Sequence, residues 1–282
     1  MPTVKSLLPE FIVIGAVKAA TTWIQAQLQA NPAIYMPDPE PHFFNLYYDR
    51  GLEFYAQYFE DAGPDKLIGE KSADYLAHEE APHRIAQILP DIPFVLQLRD
   101  PVERAYSDYK MLYRRGTITG PPEDFLVTPD CDQPRCLLDG LYGHHLSRWM
   151  DYFDADQFHI LLFEDVKTKP RETVEAVCRH IGAPEYFSED LERKKVNNGS
   201  EKYLPLSLRR VLAPFKKSVA PFRGNSYFEN MRDVFAKQVD YPPLSKDLWA
   251  RLNDFYADDI EKLRSLTGHD LSQWTRAEKQ AV

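Results

Sequence analysis

The chain of 282 residues contains only three cysteines, Cys131, Cys136 and Cys178. So sparse and odd a set is not a disulfide framework and fits a reducing compartment, with a single Cys131–Cys136 bridge left open. Basic charge is scarce as well: 34 Lys and Arg face 43 Asp and Glu, for a formal net charge of −9. That balance argues against general nucleic-acid binding, which rests on neutralising phosphates with Lys and Arg. No apolar run is long enough to span a membrane, and the opening MPTVKSLLPEF is too short and too polar for a signal peptide. A soluble, cytoplasmic protein is expected.

Glycine is missing where it matters most. The segment GAVKAATT, Gly15 to Thr22, follows the apolar run Phe11–Ile14 and leads into Trp23–Leu28. Strand, tight turn and helix is the layout of a phosphate-binding loop, in which unpaired helix N-terminal N–H groups meet the anion. Such loops usually carry several glycines, whereas here Ala19 and Ala20 stand at the turn. Against the Walker pattern G-x-x-x-x-G-K-[ST], Lys18 comes too early and no glycine stands directly before it, so an NTPase or nucleoside-phosphate kinase is the weaker reading.

What is present is mostly ordinary, with 44% hydrophobic and 27% charged residues. The aromatic content of 13%, with 16 Tyr and 16 Phe, fits either a ring-stacking pocket or a large core. Apolar runs predict parallel strands at Phe11–Ile14, Lys66–Ile68, Phe94–Leu98 and His159–Phe163. Helical patterns intervene at Pro82–Leu89, Glu103–Arg114, Leu141–Tyr152 and Arg171–Ile181. This alternation implies one α/β domain over residues 1–282, a central parallel sheet flanked by helices, with ligands beyond the strands' carboxyl ends. Gly116–Pro134 reads as a long loop, and Lys246–Leu266 as a helix capped by Gly268. Lys and Arg concentrate between Arg193 and Arg223, so that residues 192–223 read as a basic lid or broken helix facing a local anion, or as a solvated face.

Three clusters carry candidate chemistry. In the loop, Lys18 adds a full charge and Thr21 and Thr22 add donors. In LQLRDPVERAYSDYK, Arg99 ends a strand and Ser107 lies about two turns along the next helix, a pair able to grip one phosphate from two sides. An Arg99–Asp100 structural ion pair with an incidental Ser107 is the bland alternative. In PDPEPHFFN, Glu40 stands among stiffening prolines with His42 two residues on, the setting of a candidate general base or of a surface carboxylate in a turn.

Together these stretches resemble the PAPS-dependent sulfotransferases, most closely the glycan O- and N-sulfotransferase branch and its bacterial relatives. FIVIGAVKAATTWIQAQL looks like the family's 5'-phosphosulfate loop, LRDPVERAYSDY like its 3'-phosphate motif, and PEPHFF like the segment bearing its base. GEKSADYL, GLYGHHLSRWM and DFYADDIEKLRSLTG also find counterparts, so the resemblance runs over almost the whole chain. It implies a P-loop-like sulfotransferase fold in which Lys18, Ala19, Ala20, Thr21, Thr22 and Trp23 hold the 5'-phosphate and sulfuryl group. Arg99 and Ser107 would hold the 3'-phosphate, Glu40 would deprotonate the acceptor beside His42, and Lys71 would sit near the transferring sulfate. Asn198, Gly199, Ser200, Lys202 and Tyr203, in NNGSEKY, resemble the loop that closes over the nucleotide.

The implied reaction is in-line transfer of a sulfuryl group from PAPS, leaving PAP, to a hydroxyl or amine, with lysines in place of a metal ion. A carbohydrate or glycolipid is the expected acceptor and a small-molecule or natural-product alcohol the alternative. A heavily sulfated polymer fits the overall acidity less well unless the basic lid supplies its binding face. Two departures stand out. Ala19 and Ala20 replace the family's frequent glycines and are expected in helical φ/ψ, and Pro39 precedes the base where glycan relatives often have Lys. The disulfide near the nucleotide loop and the membrane anchor of secreted relatives are not expected. A non-catalytic nucleotide-binding module with a decayed loop is the reading of another class.

Overall fold

The computed structural model describes residues 7–195 and 239–274, with side chains as far as Glu192 in the first span. Five parallel strands form the central sheet: β1 (Phe11–Gly15), β2 (Ile34–Tyr35), β3 (Leu67–Lys71), β4 (Phe94–Leu98) and β5 (Phe158–Leu162), in the order β2-β3-β1-β4-β5. Each of the four expected strands is found, with β3 displaced towards its carboxyl end to include Glu70 and Lys71. The two-residue β2 is too short to leave an apolar run in the sequence.

Both faces of the sheet are covered, which is why its strands read as continuous apolar runs. Alternation sends Ile12 and Ile14 of β1, with Phe94, Leu96 and Leu98 of β4, into the larger core. Phe11, Val13 and Val95 go to the opposite face, where the helices Thr21–Ala30 and Pro170–His180 supply Ile24, Leu28, Val174 and Val177. The larger core is closed by the helices Pro101–Arg115, Tyr142–Trp149 and Lys246–Thr267. The last of these carries Leu248, Leu252, Tyr256, Ile260 and Leu263 inward, is capped by the Ser245 hydroxyl, and ends at Gly268 in the left-handed region (φ 70°). The stretch expected as a loop, Gly116–Pro134, contains one short helix at Glu123–Leu126, which buries Phe125 and Leu126.

Gly69 shows how tightly the sheet is packed. It pairs with Phe11 across β1 and β3, and an added Cβ would lie 2.0 Å from the Phe11 ring. Gly69→Ala is expected to cost about 1–3 kcal/mol through overpacking. Urea unfolding at an unchanged m-value measures it; a midpoint equal to wild type would mean that the ring moves aside freely.

Candidate active site

The polar strand ends converge. β1, β3 and β4 lie side by side, so the segments leaving their carboxyl ends, Ala16–Ala20, Ser72–Tyr75 and Arg99–Asp100, share one edge of the sheet. In the first, Ala16 N–H donates to the Gln97 carbonyl (2.7 Å), Ala19 N–H closes a turn onto Ala16 O (3.2 Å), and the Gln97 amide donates to Ala19 O. Gly15 is needed there, because a Cβ would press to 2.9 Å on the Ala73 carbonyl.

The expectation of helical backbone through the loop is corrected at Ala20, which adopts φ 68°, ψ 29°, and Lys18 has φ 71°. The helix begins only at Thr21, and the chain reverses from strand to helix axis through these two left-handed residues. The left-handed conformation costs a non-glycine residue roughly 1–2 kcal/mol. The helix N-terminus gains no side-chain cap from Ala20 and no acidic residue in its first turn. Among the described residues the N–H groups of Lys18, Ala20, Thr21 and Thr22 make no hydrogen bond. They present the unpaired donors and partial positive charge that suit a phosphate. Ala19 contributes differently, being fully buried with its N–H used inside the turn. Thr21 is buried, Thr22 exposed, and Trp23 packs against the smaller core.

Lys18 extends over the Pro101–Arg115 helix, its Nζ 3.5 Å from Met111 Sδ, one turn beyond the half-buried Ser107. Burial lowers its pKa, and Asp108 opposes that shift. Arg99 is held from three sides. Its Nε and Nη2 donate to Glu103 Oε2 (3.2 and 3.0 Å), its Nη1 reaches the Lys18 carbonyl (3.5 Å), and its guanidinium lies 4.7 Å from the Phe163 ring centroid. Asp100 meanwhile caps the helix, its Oδ1 accepting from the Val102 and Glu103 N–H groups, and Pro101 opens it. The Arg99 partner visible here is therefore Glu103, one helical turn on, where the bland alternative named Asp100.

The third cluster is compact. Glu40 Oε1 lies 2.7 Å from Lys71 Nζ, and Glu40 Oε2 accepts the Ala73 N–H at 3.1 Å. Lys71 is only 2% exposed while Glu40 keeps 28%, so the carboxylate is the more accessible of the two and the ammonium is buried. His42, with φ 50°, stands between two carboxylates, its Nε2 3.8 Å from Glu40 Oε2 and its Nδ1 3.8 Å from Asp74 Oδ2. A π-helical turn, Phe43–Tyr47, follows, anchored by buried Phe43 stacked on Tyr55 at 4.4 Å.

The sequence reading missed the buried polar support of this cluster. Ser72 and Tyr75 receive the N–H groups of His42 and Phe44, the partly exposed Asp74 faces His42, and Gln97 plays the like part for the loop at Ala19. Of these only Ser72, after Glu70 and Lys71 at the end of β3, left a signal in the sequence. It also missed the fully buried Arg104–Asp108 pair (3.5 Å), which Arg135 extends to Asp74. Other candidates fall away. The three cysteines are free, and His145 is buried with its Nε2 2.9 Å from the Leu138 carbonyl. Burial pushes the His145 pKa down to about 4. Among the described residues no group of three or more His, Cys, Asp or Glu is arranged to hold a metal ion, and no helix is long and apolar enough to cross a membrane. Asn198, Gly199, Ser200, Lys202 and Tyr203 lie outside the described residues, as does most of the segment 192–223.

Comparison with known proteins bears on the family and the fold. The profile of the sulfotransferase family matches residues 46–189, about half of the chain. The human bifunctional heparan sulfate N-deacetylase/N-sulfotransferase 3 is 30% identical over 98% of this chain and 32% of its own length. Human heparan sulfate glucosamine 3-O-sulfotransferase 5 is 29% identical over 64% of this chain and 56% of its own. A sulfotransferase from Alicyclobacillus acidocaldarius, 24% identical, superposes with a TM-score of 0.71 over 95% of this chain and 99% of that one, and so shares the fold. The chain belongs to the sulfotransferase family. It spans about a third of the length of the first of these relatives.

Proposed function

We propose that the protein transfers the sulfuryl group of PAPS to a hydroxyl or amine of a carbohydrate acceptor, with Glu40 as general base. The observation that carries this reading is the meeting, at one sheet edge, of an unpaired helix N-terminus, an arginine at the next strand end, and a carboxylate 2.7 Å from a buried lysine. The first two suit the 5'- and 3'-phosphates of the nucleotide, the third a proton acceptor beside the migrating group. The whole of residues 1–282 is taken as one sulfotransferase domain, with the basic segment 192–223 over the nucleotide.

The chemistry follows from charge. The acceptor O–H or N–H enters opposite the bridging oxygen of the donor and gives its proton to Glu40. As Glu40 is neutralised, its hold on Lys71 weakens and the ammonium turns to the sulfuryl oxygens, where negative charge is spread. Negative charge also develops on the departing 5'-phosphate, which Lys18 and the N–H groups of Ala20, Thr21 and Thr22 offset. Partial burial makes Lys18 a more effective electrostatic partner, since little water screens it. Much of the remaining acceleration is positioning.

A carbohydrate acceptor is supported by the two heparan sulfate enzymes among the relatives and by the surface beyond the base. Tyr47 is 38% exposed and packs edge-to-face with Phe54, whose own face carries the Arg50 guanidinium 3.7 Å from its centroid, so Tyr47 offers a ring for stacking on sugar C–H groups beside a cation. The test is mass spectrometry of glucosamine-containing oligosaccharides, with free amines or with hydroxyls only, after incubation with PAPS. Gain of a sulfuryl group matched by PAP release is expected. PAP binding without transfer to any acceptor would instead favour a non-catalytic nucleotide-binding module.

A further inference from the structure

Glu70 takes no part in the chemistry above, yet it is fully buried two hydrogen bonds from the segment that carries the base. That segment is fastened by two backbone donors. His42 N–H donates to Ser72 Oγ at 3.0 Å, and Phe44 N–H donates to the Tyr75 hydroxyl at 3.1 Å. Each hydroxyl, having accepted a backbone proton, must place its own. The Ser72 hydroxyl donates to Glu70 Oε2 at 3.4 Å, and the Tyr75 hydroxyl also faces the Glu70 carboxyl. Both fastenings therefore converge on one side chain.

We propose that Glu70 is a positioning residue whose buried carboxyl, acting through the hydroxyls of Ser72 and Tyr75, fixes the His42–Phe44 backbone and with it the aim of Glu40. The inference rests on the reading of Glu40 as the base.

Its protonation state follows from what surrounds it. The Gly51–Ala56 helix brings the Tyr55 hydroxyl, the chain after β3 brings Ser72 and Tyr75, β1 places Ile12 opposite, and the loop before Phe43 brings the negative Glu40. None of these is a cation, and among the described residues Glu70 forms no ion pair; its neighbour Lys71 pairs with Glu40. Burial pushes the Glu70 pKa up to about 8, against the pull of its three hydroxyl neighbours. The buried Tyr55 hydroxyl faces the same carboxyl, a setting in which a carboxyl proton finds an oxygen to donate to. Ionisation would leave an unpaired buried charge beside Glu40, a state relieved by opening the cluster to water.

The folded protein holds this proton more tightly than the unfolded chain. The associated stability is thus complete below the ordinary carboxylate range and is lost as pH rises through about 8. The test compares wild type, Glu70→Gln and Glu70→Ala at pH 7 and pH 9, reading kcat and hydrogen exchange at residues 40–46 of the whole chain.

Glutamine imitates the protonated acid. It is expected to keep kcat within about threefold of wild type at pH 7 and to hold it at pH 9, where wild type falls about tenfold. Glu70→Ala is expected to lose exchange protection at 40–46 and about 10–10² in kcat, with PAP affinity unchanged. A Glu70→Gln variant that falls at pH 9 as wild type does, or that loses protection at pH 7, would overturn the proposal. Should Glu70→Ala fail to fold, the glutamine comparison decides alone. Failure of the Glu40 reading shows separately, as undiminished kcat in Glu40→Gln or no transfer by wild type, and the exchange measurement still decides on Glu70.

Discussion

Glu40→Gln is expected to lower kcat by about 10²–10⁴ while PAP binds as tightly as to wild type, the usual weight of a general base. Size and shape are conserved, so the Ala73 N–H keeps an oxygen to donate to, and the segment that carries residue 40 keeps its ties at His42 and Phe44. What is removed is the ability to take a proton, together with the negative charge that pairs with Lys71 at 2.7 Å. Neither Glu40 oxygen bonds to the loop between Gly15 and Thr22, so the nucleotide side has no reason to respond. Turnover with single-round kinetics, beside calorimetric PAP binding, separates the two quantities. Lost affinity with intact turnover would place Glu40 in the nucleotide site and remove it from proton transfer.

Arg99→Ala is expected to weaken PAP by about 10–10³-fold and to leave ADP, which lacks the 3'-phosphate, within about threefold. Hydrogen bonds to charged groups contribute roughly 1.5–3 kcal/mol each, and a guanidinium can offer a phosphate two. The upper end is not expected, because Glu103 already occupies Nε and Nη2 and an incoming phosphate must share the guanidinium with it. That same contact fixes the arginine before the ligand arrives, which reduces the ordering cost on binding. Equal weakening of PAP and ADP would show that Arg99 shapes the loop through the Lys18 carbonyl and does not read the 3'-phosphate.

These two residues also mark what could be read from the chain. Arg99, Lys18 and Glu40 were legible because each follows a strand or stiff turn whose local signal is strong, and a parallel sheet brings such ends together. The strands carrying them were legible for the same reason: a strand buried on both faces leaves an uninterrupted apolar run. β2 was not, since two residues give no pattern. The left-handed Ala20 was not either, because small side chains signal a permissive backbone without saying which conformation the turn requires. Glu103 as the Arg99 partner needs the helix register, and the Asp74–Arg135–Asp108–Arg104 chain joins elements far apart in sequence. Ser72 and Tyr75 looked like parts of a strand end. Their task, receiving the N–H groups of a segment 30 and 31 residues earlier, exists only in the folded chain.

The most direct test of the central claim is calorimetric titration of the purified wild-type chain with PAP, with ADP and ATP under the same conditions. The arrangement of Lys18, the loop N–H groups, Arg99 and Ser107 predicts one PAP site of micromolar affinity or better, with ADP and ATP bound much more weakly. No PAP binding, or ATP bound as tightly as PAP, would contradict it, and would mean that the left-handed Ala20 loop does not cradle a 3'-phosphorylated nucleotide.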